Sequence, residues 1–188
     1  MTETLELLEE PQSLGELQME IGKWSRHNFG TNQSQLLPGS PALHQTCPLM
    51  GMSEELGELF DAQNREEEED AVADICIYLL DYCTRCCMKL EPLVREAHSY
   101  SKDERVGLVS CIGKLHRIEL KAHQGIRGYS DHNKVKEDRK VVIVQLYHYL
   151  QGFAHKEFES SVFDLAAGVW TKIVSKRDWV NKPATAGN

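Results

Sequence analysis

A chain of 188 residues, 41% hydrophobic and 27% charged, has the composition of a folded protein with a real core. Its formal net charge of -8 argues against sequence-independent binding to a nucleic-acid backbone, which needs a basic face. No apolar stretch reaches the roughly 18–20 residues that span a bilayer, and the early Glu3, Glu6, Glu9 and Glu10 do not read as a leader, so the expected location is the cytoplasm, away from any membrane.

In chain order, residues 1–12 read as an acidic tail. Ser13-Leu-Gly-Glu16 has the form of a capping box and predicts a helix to about Phe29, with Leu14, Leu17, Ile21 and Trp24 on one face and Gly30 at its end. Residues 31–48 carry Pro38, Gly39, Ser40, Pro41 and Pro48 with little periodicity and predict a loop, longer than compact domains usually tolerate without a purpose.

A second helix is expected over residues 49–63, with Leu56, Leu59 and Phe60 as its apolar side. The acidic run 66–70 suits the N-terminus of a third, which continues through Val72, Ile75, Leu79 and Tyr82 to about Lys89. Pro92 opens a short helical stretch, and residues 99–104 read as a linker. Beyond it, helices are expected over 106–124 (Val109, Ile112, Leu115, Leu120), 137–153 and 160–179. Gly125-Ile-Arg-Gly128 and the polar 129–134 form the turn between the first two. Val141-Val-Ile-Val144 alone would suit a strand, but Leu146, Tyr147 and Leu150 keep helical spacing.

The fold class is therefore all-α, a single helical bundle over 13–180, with residues 181–188 as a C-terminal tail. The order helix, polar loop, helix rich in Tyr and Leu occurs at 54–82 and again at about 113–153. This suggests a degenerate internal repeat, with 13–98 as one half and 105–180 as the other; chance likeness between two helical hairpins is the competing reading. Cys83-Thr-Arg-Cys86-Cys87 has no second CxxC or HxxxH partner for zinc, so buried thiols are expected there.

The chemistry concentrates in Glu54-Glu55-Leu-Gly-Glu58 and Asp70-Ala-Val-Ala-Asp74. Residues three or four apart share a helix face, so Glu54 or Glu55 aligns with Glu58, and Asp70 with Asp74, with Tyr78 one turn on. Packed as a hairpin, the two faces bring together carboxylates that repel one another unless divalent cations lie between them, and hard oxygen donors select Mg²⁺ or Mn²⁺. Surface exposure is the ordinary fate of a charge run such as 66–69. Asp74 is the residue that resists it, set among Val72, Ala73, Ile75 and Ile77. A carboxylate-bridged di-iron bundle would want Glu-x-x-His, which the chain does not contain.

These two segments resemble the EExxE and ExxD helices of the MazG-like all-α nucleotide pyrophosphohydrolases. Trp24-Ser-Arg-His-Asn-Phe-Gly30 is similar to that family's first helix, and Val169-Trp-Thr-Lys-Ile-Val-Ser-Lys-Arg-Asp-Trp179 to the closing segment of some members. The resemblance implies Mg²⁺-dependent hydrolysis of a nucleoside triphosphate to the monophosphate and pyrophosphate, in a chain that forms a homodimer. By position, Glu55, Glu58 and Asp74 become metal ligands. Glu54 becomes a ligand or the base that orients water, and Tyr78 a nucleoside contact. Ala71 stands where the family has its first ExxD acid, so Asp70 is the expected substitute and Glu69 a further candidate. Trp24, His27 and Asn28 are candidates to meet the base or sugar, and Lys176 and Arg177, with Lys23 and Arg26, to meet phosphate. Loss of turnover on a retained fold, leaving a helical interaction protein, is the alternative.

Overall fold

The computed structural model describes residues 10–29, 43–95 and 103–176; of residues 27–29, 43, 44 and 174–176 only the backbone is described. Its described elements are helical, in the order α1 (Leu14–Phe29), α2 (Leu43–Asp61), α3 (Arg65–Arg85), a 3-10 turn (Glu91–Leu93), α4 (Glu104–Gln124), α5 (His132–Phe158) and α6 (Val162–Lys176). The all-α expectation holds, and Val141–Val144 lie inside α5. No helix among the described residues is long and apolar enough to cross a membrane.

The helix starts follow their caps. Ser13 Oγ accepts from the Glu16 N–H at 3.1 Å while Glu16 accepts from the Gln12 N–H at 2.8 Å, a reciprocal arrangement that satisfies two otherwise orphaned donors. Asn64 and Glu67 do the same for α3. Asp131 accepts from the N–H groups of Asn133 and Lys134, so α5 begins at His132, well before the expected residue 137. Its first turns are polar, and hydrophobic spacing gives no signal there.

α2 also begins early, at Leu43, which places Pro48 inside the helix and shortens the expected loop. Pro48 lies in the second turn, where it takes from the ladder the N–H that would bond to the carbonyl of residue 44. The expected ends at Gln63 and Lys89 retreat to Asp61 and Arg85. Gly30, the residues on either side of 99 and Trp179 lie outside the described residues.

α3 is the centre of the molecule. It packs against α1, α2, α5 and α6, while α4 pairs with α5 and touches α2. Ile75, Leu79, Leu80 and Tyr82 have no exposed surface, and Trp170 of α6 is 1% exposed, its ring edge-on to Trp24 at 5.7 Å. Phe60 departs from expectation: it is exposed, under the guanidinium of Arg105 at 5.8 Å. So do Val109 and Leu120, because the buried face of α4 runs through Leu108, Cys111, Ile112, Leu115 and Ile118. Of the clustered thiols Cys83 is buried as expected, Cys86 partly so, and Cys87 is exposed.

Both hairpins close on a glycine. A Cβ on Gly51 of α2 would stand 2.5 Å from the Tyr78 ring of α3, and one on Gly107 of α4 would stand 2.4 Å from the Tyr149 ring of α5. Gly113, two turns along α4, faces open space. Gly113→Ala should therefore gain helix propensity, about 1 kcal/mol. Gly107→Ala should lose about 1–3 kcal/mol through the ring it displaces, despite the same gain. Urea midpoints of the two variants, moving in opposite directions, check this.

Candidate functional site

The α2–α3 hairpin sets the carboxylates of the two acidic segments around one of their number. Glu55 is 8% exposed, on the face of α2 that packs on the core, while Glu54 and Glu58 are exposed and Asp74 is half-buried on α3. Burial, then the charges of Asp74, Glu58, Glu54 and Asp70, in that order, raise the Glu55 carboxyl to about 8. The five residues expected from the sequence are thus brought into one electrostatic neighbourhood, and Asp70 is its most weakly coupled member.

The rest of the acidic run has other partners. Glu67 caps α3, Glu68 is paired with Arg105, and Glu69 accepts from Arg65 Nε at 2.7 Å. Glu69 is therefore engaged on the surface, which leaves Asp70 as the acid that acts on Glu55 from the start of α3. Asp70 also borders a cleft of about 470 Å³ between the first turns of α3 and α6, with Glu66, Asp164 and Lys172 among its walls.

Five carboxylates are an oxygen donor set of the kind hard divalent cations take. Among the described residues, no three carboxylate, histidine or cysteine side chains are placed to close on one ion. The set fits a divalent cation in chemistry and in register along the two helices.

No protein-family model, curated protein or solved structure matches the chain.

The other expected site residues divide. Trp24 of α1 packs against Trp170 of α6, and Tyr78 lies on Gly51 within the α2–α3 hairpin, so both rings serve as packing. Lys23 is paired with the fully buried Glu20 at 2.7 Å, and Arg26 is exposed. The side chains of His27, Asn28 and Lys176, and all of Arg177, lie outside the described residues.

Two features carry no signal in the sequence. His116 of α4 reaches Ser53, the residue before the EELGE segment, with Nε2 2.7 Å from Oγ, and burial holds its imidazole below the ordinary value. Glu119 of α4 is gripped by Arg139 of α5 through two bonds of 2.7 Å and accepts from Tyr82 of α3. Lone polar residues on separate helices give no hint of such partners. Their spacing within each helix could only have marked Glu119 as lying on the same stripe as Leu108, Cys111, Leu115 and Ile118.

Proposed function

We propose that this protein is a divalent-metal-dependent nucleotide pyrophosphohydrolase, cleaving a nucleoside triphosphate to the monophosphate and pyrophosphate. One observation carries the reading: Glu55 is buried in a neighbourhood of four other carboxylates, whose repulsion is relieved by a proton on Glu55 or by a bound cation. The order of EELGE and the DAVAD segment, and its likeness to the MazG-like pattern, supports the choice of reaction.

Glu55, Glu58, Asp74 and Asp70 would hold the cation. When bound, Mg²⁺ or Mn²⁺ supplies charge neutralisation for the phosphates and a lowered pKa for water. Glu54 is exposed beside Glu55. It is the group to accept the proton of a water attacking the α-phosphorus, with pyrophosphate leaving. Glu55 is a carboxylic acid at neutral pH while no cation is present, so cation binding must displace its proton. No covalent nucleophile is required of the chain.

The second reading, a helical interaction protein without turnover, is favoured by the lack of any three ligands ready-placed for one ion among the described residues. Pyrophosphate release across a panel of canonical and modified nucleoside triphosphates, with Mg²⁺ or Mn²⁺, separates the two. Turnover of at least one nucleotide is expected, reduced at least 100-fold in Glu55→Gln and in Asp74→Asn. Silence across the panel, or variants as active as the parent, favours the interaction protein.

A further inference from the structure

The second hairpin carries a cation at the position that corresponds to Glu58 of the first. The glycine–tyrosine contacts give a common register. Seven residues beyond Gly51 is Glu58, and seven beyond Gly107 is Lys114; four before Tyr78 is Asp74, and four before Tyr149 is Gln145. Lys114 Nζ donates to Gln145 Oε1 at 3.5 Å, so a lysine–amide pair stands where the first hairpin has Glu58 and Asp74.

A cleft of about 390 Å³ opens at this place between α4 and α5, with Lys114, Arg117 and Lys121 along one wall and Tyr129 and Asp138 opposite. Lys121 and Lys134 flank the Tyr129 ring at 4.8 and 4.9 Å. Asp138, the acid of the cleft, is already committed: it accepts from the Tyr129 hydroxyl at 2.7 Å and from Lys134 Nζ at 3.0 Å. Burial, then the charges of Arg117, Arg127 and Lys134, hold the Lys121 ammonium below its ordinary value. The cleft's walls thus hold three cations and one carboxylate, in a chain whose formal net charge is -8. Arg127 stands in a turn with φ of 55°, between Gly125 at 63° and Gly128 at 79°.

We propose that the α4–α5 cleft is a binding site for a small oligophosphate, pyrophosphate or the phosphate chain of a nucleotide, separate from the carboxylate site. The cleft's small volume and the three cations on one wall favour this over a nucleic-acid backbone, which needs an extended basic face. The inference does not rest on hydrolysis, because cations alone can hold such an anion without a divalent metal.

The test is the thermal midpoint of the full chain in chelator, titrated with sodium pyrophosphate and with a nucleoside triphosphate. Sodium sulfate at matched ionic strength is the control. Both phosphates should raise the midpoint where sulfate does not. Arg117→Gln/Lys121→Gln, two surface changes, should keep the unliganded midpoint and weaken binding at least tenfold. Glu55→Gln should bind as the parent does. No shift with pyrophosphate, equal protection by sulfate, protection by the nucleotide alone, or undiminished binding in the double variant would each overturn the proposal.

Discussion

In chelator, the parent protein is expected to lose stability as pH rises from about 4.5 to about 8, and Glu55→Gln to lose much less. The folded-state carboxyl is raised to about 8 from an ordinary 4.5. Below the lower value both states hold the proton and nothing is lost. Between the two values the unfolded chain releases it while the folded chain keeps it, so the unfolded state is favoured by up to about 1.4 kcal/mol per pH unit. Glu54, Glu58 and Asp70 are exposed, and solvent screens their share. That brings the expected difference between Glu55→Gln and the parent at pH 8 to about 2–3 kcal/mol in favour of the variant. Urea unfolding of both proteins at pH 5 and pH 8 checks it. Equal slopes would remove Glu55 from its buried, repelled position.

The largest loss is expected from Arg139→Met. The Arg139–Glu119 pair is nearly closed to solvent, its side chains 13% and 6% exposed, and it joins α4 to α5 while Tyr82 ties it to α3. Burial, then Cys86 and Glu119, push the Tyr82 phenol well above its ordinary value, so it remains a neutral donor to the carboxylate. Removing the guanidinium leaves a buried, uncompensated charge, at about 3–5 kcal/mol. In a chain of this size that lowers the melting temperature by roughly 10 °C. Glu119→Gln/Arg139→Met removes both charges and keeps an acceptor for Tyr82. It should recover to within about 2 kcal/mol of the parent. A double variant as unstable as the single would assign the loss to packing of the Arg139 stem.

The contrast between these two carboxylates marks what a sequence makes legible. Glu55 belongs to a cluster spaced for one helix face, followed by Asp74 in an apolar helix, and local pattern was enough to bring those residues together. Glu119 has its partner twenty residues on, across a turn, on a helix whose first part shows no apolar period. Only packing reveals the pair.

The same limit governs the fold. The apolar stripes of α1 and α3 were readable because they recur at three- and four-residue steps. The starts of α2 and α5 were not: one runs through Pro48, and the other is fixed by Asp131 before any hydrophobic residue enters. Trp24 and Tyr78 illustrate a different ambiguity. Aromatic residues near a site suit stacking or packing equally well until their neighbours are known, and here those neighbours include Trp170 and Gly51.

If the carboxylates around Glu55 form a divalent-cation site, a cation must displace the proton of Glu55. Calorimetric titration of the full chain with Mg²⁺ at pH 7, repeated in two buffers of different ionisation enthalpy, measures both binding and the protons it displaces. Saturable binding with release of close to one proton is expected, and neither saturable heat nor proton release in Glu55→Gln. Absence of saturable binding in the parent, or binding that Glu55→Gln leaves intact, would contradict a cation site there.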